Sequence, residues 1–252
     1  GQLIKTIYQK HNRAERFVHR YQYNLAGQLE IVETSIDNVN YTKQAHYKYN
    51  ESGALIRTEL ATNLQGIDYI YNLNGQLKAI NHPSILPAND PGRDGEAGGS
   101  GFLADVFGMG IDYYSGDYTR TGTPKMVSGS SSGTNQYNGN IKATRWNTQI
   151  GSATQKAYVY QYNRNGWLTE ATFGTASSTG AITANANGDY KVAGITYDAN
   201  GNIQTLQRKG YTGGGTNSMD NLIYNYGTSS KANRLSFVKD TEDNPDPLRY
   251  DD

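Results

Sequence analysis

Through much of the chain apolar and polar positions alternate with a period of two, the signature of half-buried strands, and the alternation stops at a recurring punctuation. In "YQYNLAGQLE" (21–30), "YKYNESGALI" (47–56), "YIYNLNGQLK" (69–78) and "YQYNRNGWLT" (160–169), two tyrosines flank one residue, and Asn, Gly and Leu then follow at fixed offsets. "ITYDANGNIQ" (195–204) repeats the phrase with Ile195 for the first Tyr. Alternate strand residues face the same side, so Tyr21 and Tyr23, Tyr47 and Tyr49, Tyr69 and Tyr71, and Tyr160 and Tyr162 each form a two-ring patch, with Tyr197 alone in the fifth copy. Gln22, Lys48 and Gln161 face the other way, whereas Ile70 does not suit a wet outer face.

Asn24 and Gly27, Asn50 and Gly53, Asn72 and Gly75, Asn163 and Gly166, and Asp198 and Gly201 share one spacing. An acceptor side chain at the first position and a glycine able to take positive φ at the last predict a type I turn with a G1 bulge. Leu29, Leu55, Leu77, Leu168 and Ile203 then start the return strands. Each phrase predicts a β-hairpin, and their succession predicts an all-β strip of hairpins.

From Tyr23 to Tyr49 the step is 26 residues and from Tyr49 to Tyr71 it is 22, enough for two strands and two turns. A weaker sixth copy, "LIYNYGTSSKANRLSFV" (222–238), keeps the alternation at Tyr224 and Tyr226, with Asn233, Arg234 and Leu235 resuming the return strand. "GTASSTGAITANANGDY" (174–190) reads as an enlarged loop. The opening "GQLIKT" matches the second half of the phrase, as expected for a segment of a longer chain. Residues 1–252 therefore read as one repeat region, with an elaborated insertion at about 81–145. Its Pro/Gly/Asp-rich start, 81–101, is a partly mobile loop by composition. Strand-like text with an Asn138-Gly139 turn follows, and Ser128 to Ser132 read as a flexible loop.

Composition narrows the function. The 23 basic and 23 acidic side chains balance, which removes any general attraction to nucleic acid or an anionic membrane. No apolar run is long enough to span a bilayer as a helix. Cysteine is absent, and with it thiolate ligands, thiol nucleophiles and disulfides. The mean hydropathy of −0.73 suits disorder, but 21 tyrosines and 29 glycines point to turns and aromatic cladding.

Catalytic constellations are not legible. His11, His19, His46 and His82 have no ligand spacing, and Ser100 in "GGSGF" lacks a nucleophile elbow. In "DPGRDG", Asp90, Asp94 and Gly95 occupy calcium-loop positions, but Gly92 and Gly101 replace ligands, so a turn is expected and no metal or cofactor. Asp105, Asp112 and Asp117 are acidic residues near aromatic ones. They could only serve as a glycosidase pair, and surface charge is the expectation. Tyr113, Tyr114 and Tyr118, read as exposed rings, are candidates for stacking on a glycan.

The five phrases and the degenerate sixth resemble the YD repeats of the Rhs family, whose usual form is Tyr-x-Tyr-Asp-x-x-Gly-x-Leu. Asp198 is the family residue, and Asn24, Asn50, Asn72 and Asn163 keep the turn without the charge. "DVFGMGIDYYSGDYTR", "QYNGNIKATRW" and "QKAYVYQYNRNGWLTEATFG" further resemble large Rhs-type surface proteins of Bacteroidetes. The resemblance implies a hairpin strip that spirals into part of a hollow β-shell, as in Rhs toxins, insecticidal toxin-complex shells and teneurins. It implies a non-enzymatic container or adhesive scaffold that is secreted or at the cell surface. Its partners would be flanking repeats of the same chain, an enclosed C-terminal passenger, or secretion-system and surface proteins, with type IX secretion as a route. The family's D-P-x-G-type self-cleavage ending is not found here: "DPGRDG" is mid-chain and "NPDPLRYDD" closes the sequence. Autoproteolysis is accordingly not expected of these residues.

Overall fold

A computed structural model describes residues 1–118, 132–149, 154–178, 180–211, 218–227 and 233–242. It contains sixteen strands and one short 3-10 turn, Pro87–Asn89. The strands are β1 (Lys5–Tyr8), β2 (Phe17–Tyr23), β3 (Leu29–Ser35), β4 (Thr42–Tyr49), β5 (Leu55–Leu60), β6 (Gln65–Tyr71), β7 (Leu77–Ile80) and β8 (Phe107–Asp112). They continue as β9 (Ala143–Thr148), β10 (Gln155–Tyr162), β11 (Leu168–Ala176), β12 (Ile182–Ala184), β13 (Val192–Tyr197), β14 (Ile203–Lys209), β15 (Ser218–Tyr226) and β16 (Leu235–Asp240). All lie in one long antiparallel sheet whose order follows the chain, except that β12 pairs with β11 off the main path. The residues group into two compact units. One is built on Gly1–Ile111 with described parts of 116–128 and 146–155, the other on Asp112–Ser115 with described parts of 129–145 and 156–252.

Every phrase forms the hairpin that its spacing predicts. In the first, the Gly27 amide donates to the Asn24 carbonyl and the Asn24 amide to the Gln28 carbonyl, both at 2.9 Å, with Gly27 at φ +80°. The Asn24 Oδ1 accepts from the amides of Ala26 and Gln28, so one short side chain caps the whole turn. Asn72, Asn163 and Asp198 repeat these contacts, and Asn50 accepts from the Ala54 amide. A feature not evident in the sequence follows five of the turns. Tyr23 pairs with Leu29 but Gln22 pairs with Ile31, so Glu30 is an extra residue in the return strand. The same one-residue shift recurs in the β4–β5, β6–β7, β13–β14 and β15–β16 hairpins, and it adds local twist at the same point of each.

Two expectations change. "GTASSTGAITANANGDY" is not an open loop: β12 folds back on β11, and Asn185 caps a turn like those of the repeats, with Gly188 at φ +68°. The 81–101 segment is an ordered loop whose polar residues Asn81, His82, Asp90 and Asp94 are buried. Asn81 holds it, accepting from the Asp68 amide at 2.7 Å and donating to the Phe107 carbonyl at 2.9 Å. The serines 128–131, the turn at 228–232 and the closing "NPDPLRYDD" lie outside the described residues.

Candidate functional site: hairpin junctions and a buried acidic cluster

The second tyrosine of each phrase has a task that the first does not share. Its hydroxyl donates to a backbone carbonyl at or just before the start of an earlier strand. Tyr49 reaches Leu29 at 2.7 Å and Tyr71 reaches Leu55 at 3.0 Å, while Tyr23 reaches Leu3 at 2.9 Å. In the second unit Tyr162 reaches Ile141, Tyr197 reaches Leu168 and Tyr226 reaches Ile203, at 2.6–2.9 Å. Burial raises the pKa of Tyr49, Tyr162 and Tyr197, as expected for hydroxyls taken from water into a junction. A second contact runs the other way. Gln2, Gln28 and Asn140, each directly after a glycine, donate their side-chain amides to the carbonyls of Gly27, Gly53 and Gly166 in the next hairpin, at 2.8–3.0 Å. Side chain to main chain in both directions, these bonds join hairpin to hairpin at the turn end of the sheet.

Within the first unit, Arg57 on β5 is buried against three acidic residues. Its Nη1 donates to Asp68 Oδ2 at 2.6 Å, Nη2 to Asp94 Oδ1 at 2.7 Å and Nε to Glu59 Oε1 at 3.2 Å. Although burial works against it, the carboxylates of Asp94 and Asp68 hold the guanidinium charged and raise its pKa. The Phe102 ring lies 5.1 Å from the guanidinium carbon. Burial pushes Asp68 up to about 6 against the pull of Arg57. It pushes Asp105 up to about 9, because the carboxyl of Asp90 stands within hydrogen-bonding reach and Asp94 and Asp68 add negative charge. Gly66 and Gly92 bring bare backbone against this cluster, where any Cβ would collide with Arg57. The carboxylates of Asp68, Asp90 and Asp94 each place an oxygen within 4.8 Å of the others, an arrangement able to hold a metal ion.

No family model matches the sequence, and no curated protein does. Among solved structures, TcdB2-TccC3 without its hypervariable C-terminal region superposes with a TM-score of 0.50 at 17% identity. The strip shares its fold with part of TcdB2-TccC3. The match covers 88% of this chain and 9% of that one. TcdB2-TccC3-Cdc42 matches over the same shares at 17% identity and a TM-score of 0.48. The Tc holotoxin pore of Photorhabdus luminescens gives 13% identity and a TM-score of 0.29, over 85% of this chain and 12% of that one.

On this TcdB2-TccC3-like strip the tyrosines of the phrases are half-buried, and the turn residues and return-strand leucines stand where the spacing puts them. Ile70 packs with Ala79 and Tyr118. Tyr113 is not an exposed ring: it is 6% exposed, directly after the buried Asp112 that ends β8. Tyr118 is taken up by the Ile70 cluster, and Tyr114 lies against Tyr137 with centroids 4.9 Å apart. Nor are Asp105, Asp112 and Asp117 surface charge. All three are buried, each with its own partner: Asp105 accepts from Gln65 at 2.8 Å, Asp112 pairs with Arg145 at 3.0 Å and Asp117 with Lys78 at 2.9 Å. The residues missed from sequence are the junction amides and Arg57. An amide recurring after the turn glycine at Gln28, Gln76, Asn140 and Asn202 was the available signal for the first. For Arg57 it was the alternation with Glu59 in a strand of otherwise apolar and Thr residues.

Proposed function

We propose that this chain is a non-enzymatic wall segment of an exported Rhs/YD-repeat shell that encloses or displays another polypeptide. The observation that carries the reading is the repeated junction. A tyrosine hydroxyl and, at three junctions, a glutamine or asparagine amide tie one hairpin to the next, which suits a sheet lengthened one hairpin at a time. The fold shared with part of TcdB2-TccC3 supports it, as does the resemblance of the phrases to YD repeats. Flanking repeats, an enclosed passenger and secretion or surface proteins are the partners of this proposal, and the cell surface or the medium is its place.

The test is intact-mass analysis and limited proteolysis of the native protein from its source, with bound partners retained. A distinct polypeptide segment that resists protease until the repeat wall is denatured supports the container. A wall holding nothing, and equally cleaved with and without denaturant, refutes it. For export, cell fractionation of the source organism and of a strain lacking type IX secretion reads the location directly, and protein confined to the cytoplasm of both would end that part of the proposal. A second reading, an adhesin or glycan-binding scaffold, is favoured by the Tyr114–Tyr137 ring pair, since Tyr137 is 75% exposed. Glycan binding lost in a folded Tyr137→Ala variant would support it, and no binding by the parent would remove it.

A further inference from the structure

The acidic cluster carries more negative charge than its guanidinium offsets. Asp68 and Asp94 each spend one oxygen on Arg57, but neither Asp90 nor Asp105 has a cationic partner among the described residues. Asp90 is 4% exposed and Asp94 not exposed at all. Asp90 Oδ2 accepts from the Asp94 amide at 2.7 Å, while its Oδ1 is sealed from solvent and accepts nothing, and the same holds for Asp94 Oδ2. Asp94 Oδ1 is filled by Arg57 and the Ser100 hydroxyl. Two buried carboxylate oxygens without a donor, beside a fourth carboxyl close enough to repel them, mark a place that calls for a cation.

We propose that Asp68, Asp90 and Asp94 form a discontinuous binding site for a divalent cation of the calcium class, with the buried Asp105 standing beside it. All the donors are oxygens, which suits a hard ion. Three carboxylates from the protein suit Ca²⁺, which takes several protein oxygens, better than Mg²⁺, which keeps most of its waters and uses one or two carboxylates. The "DPGRDG" loop supplies Asp90 and Asp94, and the place of its missing third ligand is taken from β6 by Asp68 rather than by the loop itself. The ion clasps the loop between residues 87 and 105 to β6, next to the existing Gln65–Asp105 bond and the short parallel bridge from Gln65 to Leu103.

The test is calorimetric titration of the EDTA-stripped 252-residue chain with CaCl₂, and separately with MgCl₂, together with thermal melting in each salt. One Ca²⁺ per chain, a melting temperature raised by Ca²⁺ more than by Mg²⁺, and a loss of affinity of roughly tenfold or more in Asp90→Asn and Asp105→Asn are expected. Both substitutions keep a side-chain oxygen for the Asp94 and Gln65 amides and add no charge, so the stripped variants should melt close to the stripped parent, which separates lost binding from lost folding. Folded, stripped parent that gives neither heat nor a melting shift with millimolar Ca²⁺ overturns the site and leaves Asp90 and Asp105 sharing a proton. Binding unchanged in both variants overturns its location.

Discussion

Tyr47 and Tyr49 lie two residues apart on β4, carry the same side chain and are both half-buried, yet only Tyr49 sends its hydroxyl to a neighbouring hairpin. Tyr49→Phe deletes one hydroxyl-to-carbonyl bond of 2.7 Å and leaves the Leu29 carbonyl unserved at the junction. A bond of this kind contributes about 1 kcal/mol net, with a further cost if the carbonyl stays dry, so a loss of about 1–2 kcal/mol is expected. Tyr47→Phe removes a hydroxyl with no protein partner and should change stability by less than about 0.5 kcal/mol. Urea unfolding followed by tyrosine fluorescence reads the difference as a lower midpoint for Tyr49→Phe at unchanged slope. With slopes of roughly 1–3 kcal/mol/M, the midpoint should fall by roughly 0.3–2 M. The Tyr23→Phe, Tyr49→Phe and Tyr71→Phe effects should add when combined, because each contact belongs to a different junction. Equal effects of Tyr47→Phe and Tyr49→Phe would refute the junction argument and leave ring burial as the whole role of the repeated tyrosines.

Gly53→Ala should cost about 1–2 kcal/mol from its φ of +82° and weaken the Gln28 amide bond, since the new Cβ meets Gln28 Nε2 at 3.3 Å. Gly75→Ala, with open space at its Cβ, should show the backbone cost alone, and urea midpoints compare the two. Arg57→Met leaves buried carboxylates without their guanidinium and should lose about 3–5 kcal/mol in EDTA, measured the same way. In EDTA the parent's stability should fall as pH rises, from about pH 4 to about 6 through Asp68 and on to about 9 through Asp105. Both carboxyls keep protons in the folded state that the unfolded chain has already released, so folding takes up protons over this range. Stability that rises between pH 5 and 9 would contradict the assignment. β16 is exposed along its whole length with Leu235, Phe237 and Val238 uncovered, so the isolated chain should self-associate in light scattering, and Phe237→Lys should reduce this.

Local rules made the hairpins legible. The Asn-x-x-Gly spacing names a turn by the hydrogen bonds its side chain can make and the φ its glycine can take, and neither depends on distant residues. The alternation put Ile70 on the face of Gln22, Lys48 and Gln161, where an apolar side chain does not suit water, and the structure buries it against Ala79 and Tyr118. What stayed hidden depends on contacts between segments far apart in sequence. Asp94 meets Arg57 across 37 residues, and a stretch of Pro, Gly and Asp reads as surface loop until the buried arginine that needs its carboxylates is known. Asp112 and Asp117 misled for the same reason, since Arg145 and Lys78 are distant in sequence. The recurring one-residue shift leaves no mark in composition, because any side chain can occupy the extra position: Glu30, Ile56, Lys78 and Gln204 all do.

In every junction the tyrosine speaks to a main-chain carbonyl, the one group that all residues at that place possess. A hairpin can therefore be duplicated, deleted or exchanged for another without a matching change in the hairpin before it. Leu3, Ile141 and Ile203 accept as readily as Leu29 does. The strip is interchangeable at its joints, so its length and its insertions are free to vary while its joining chemistry stays the same.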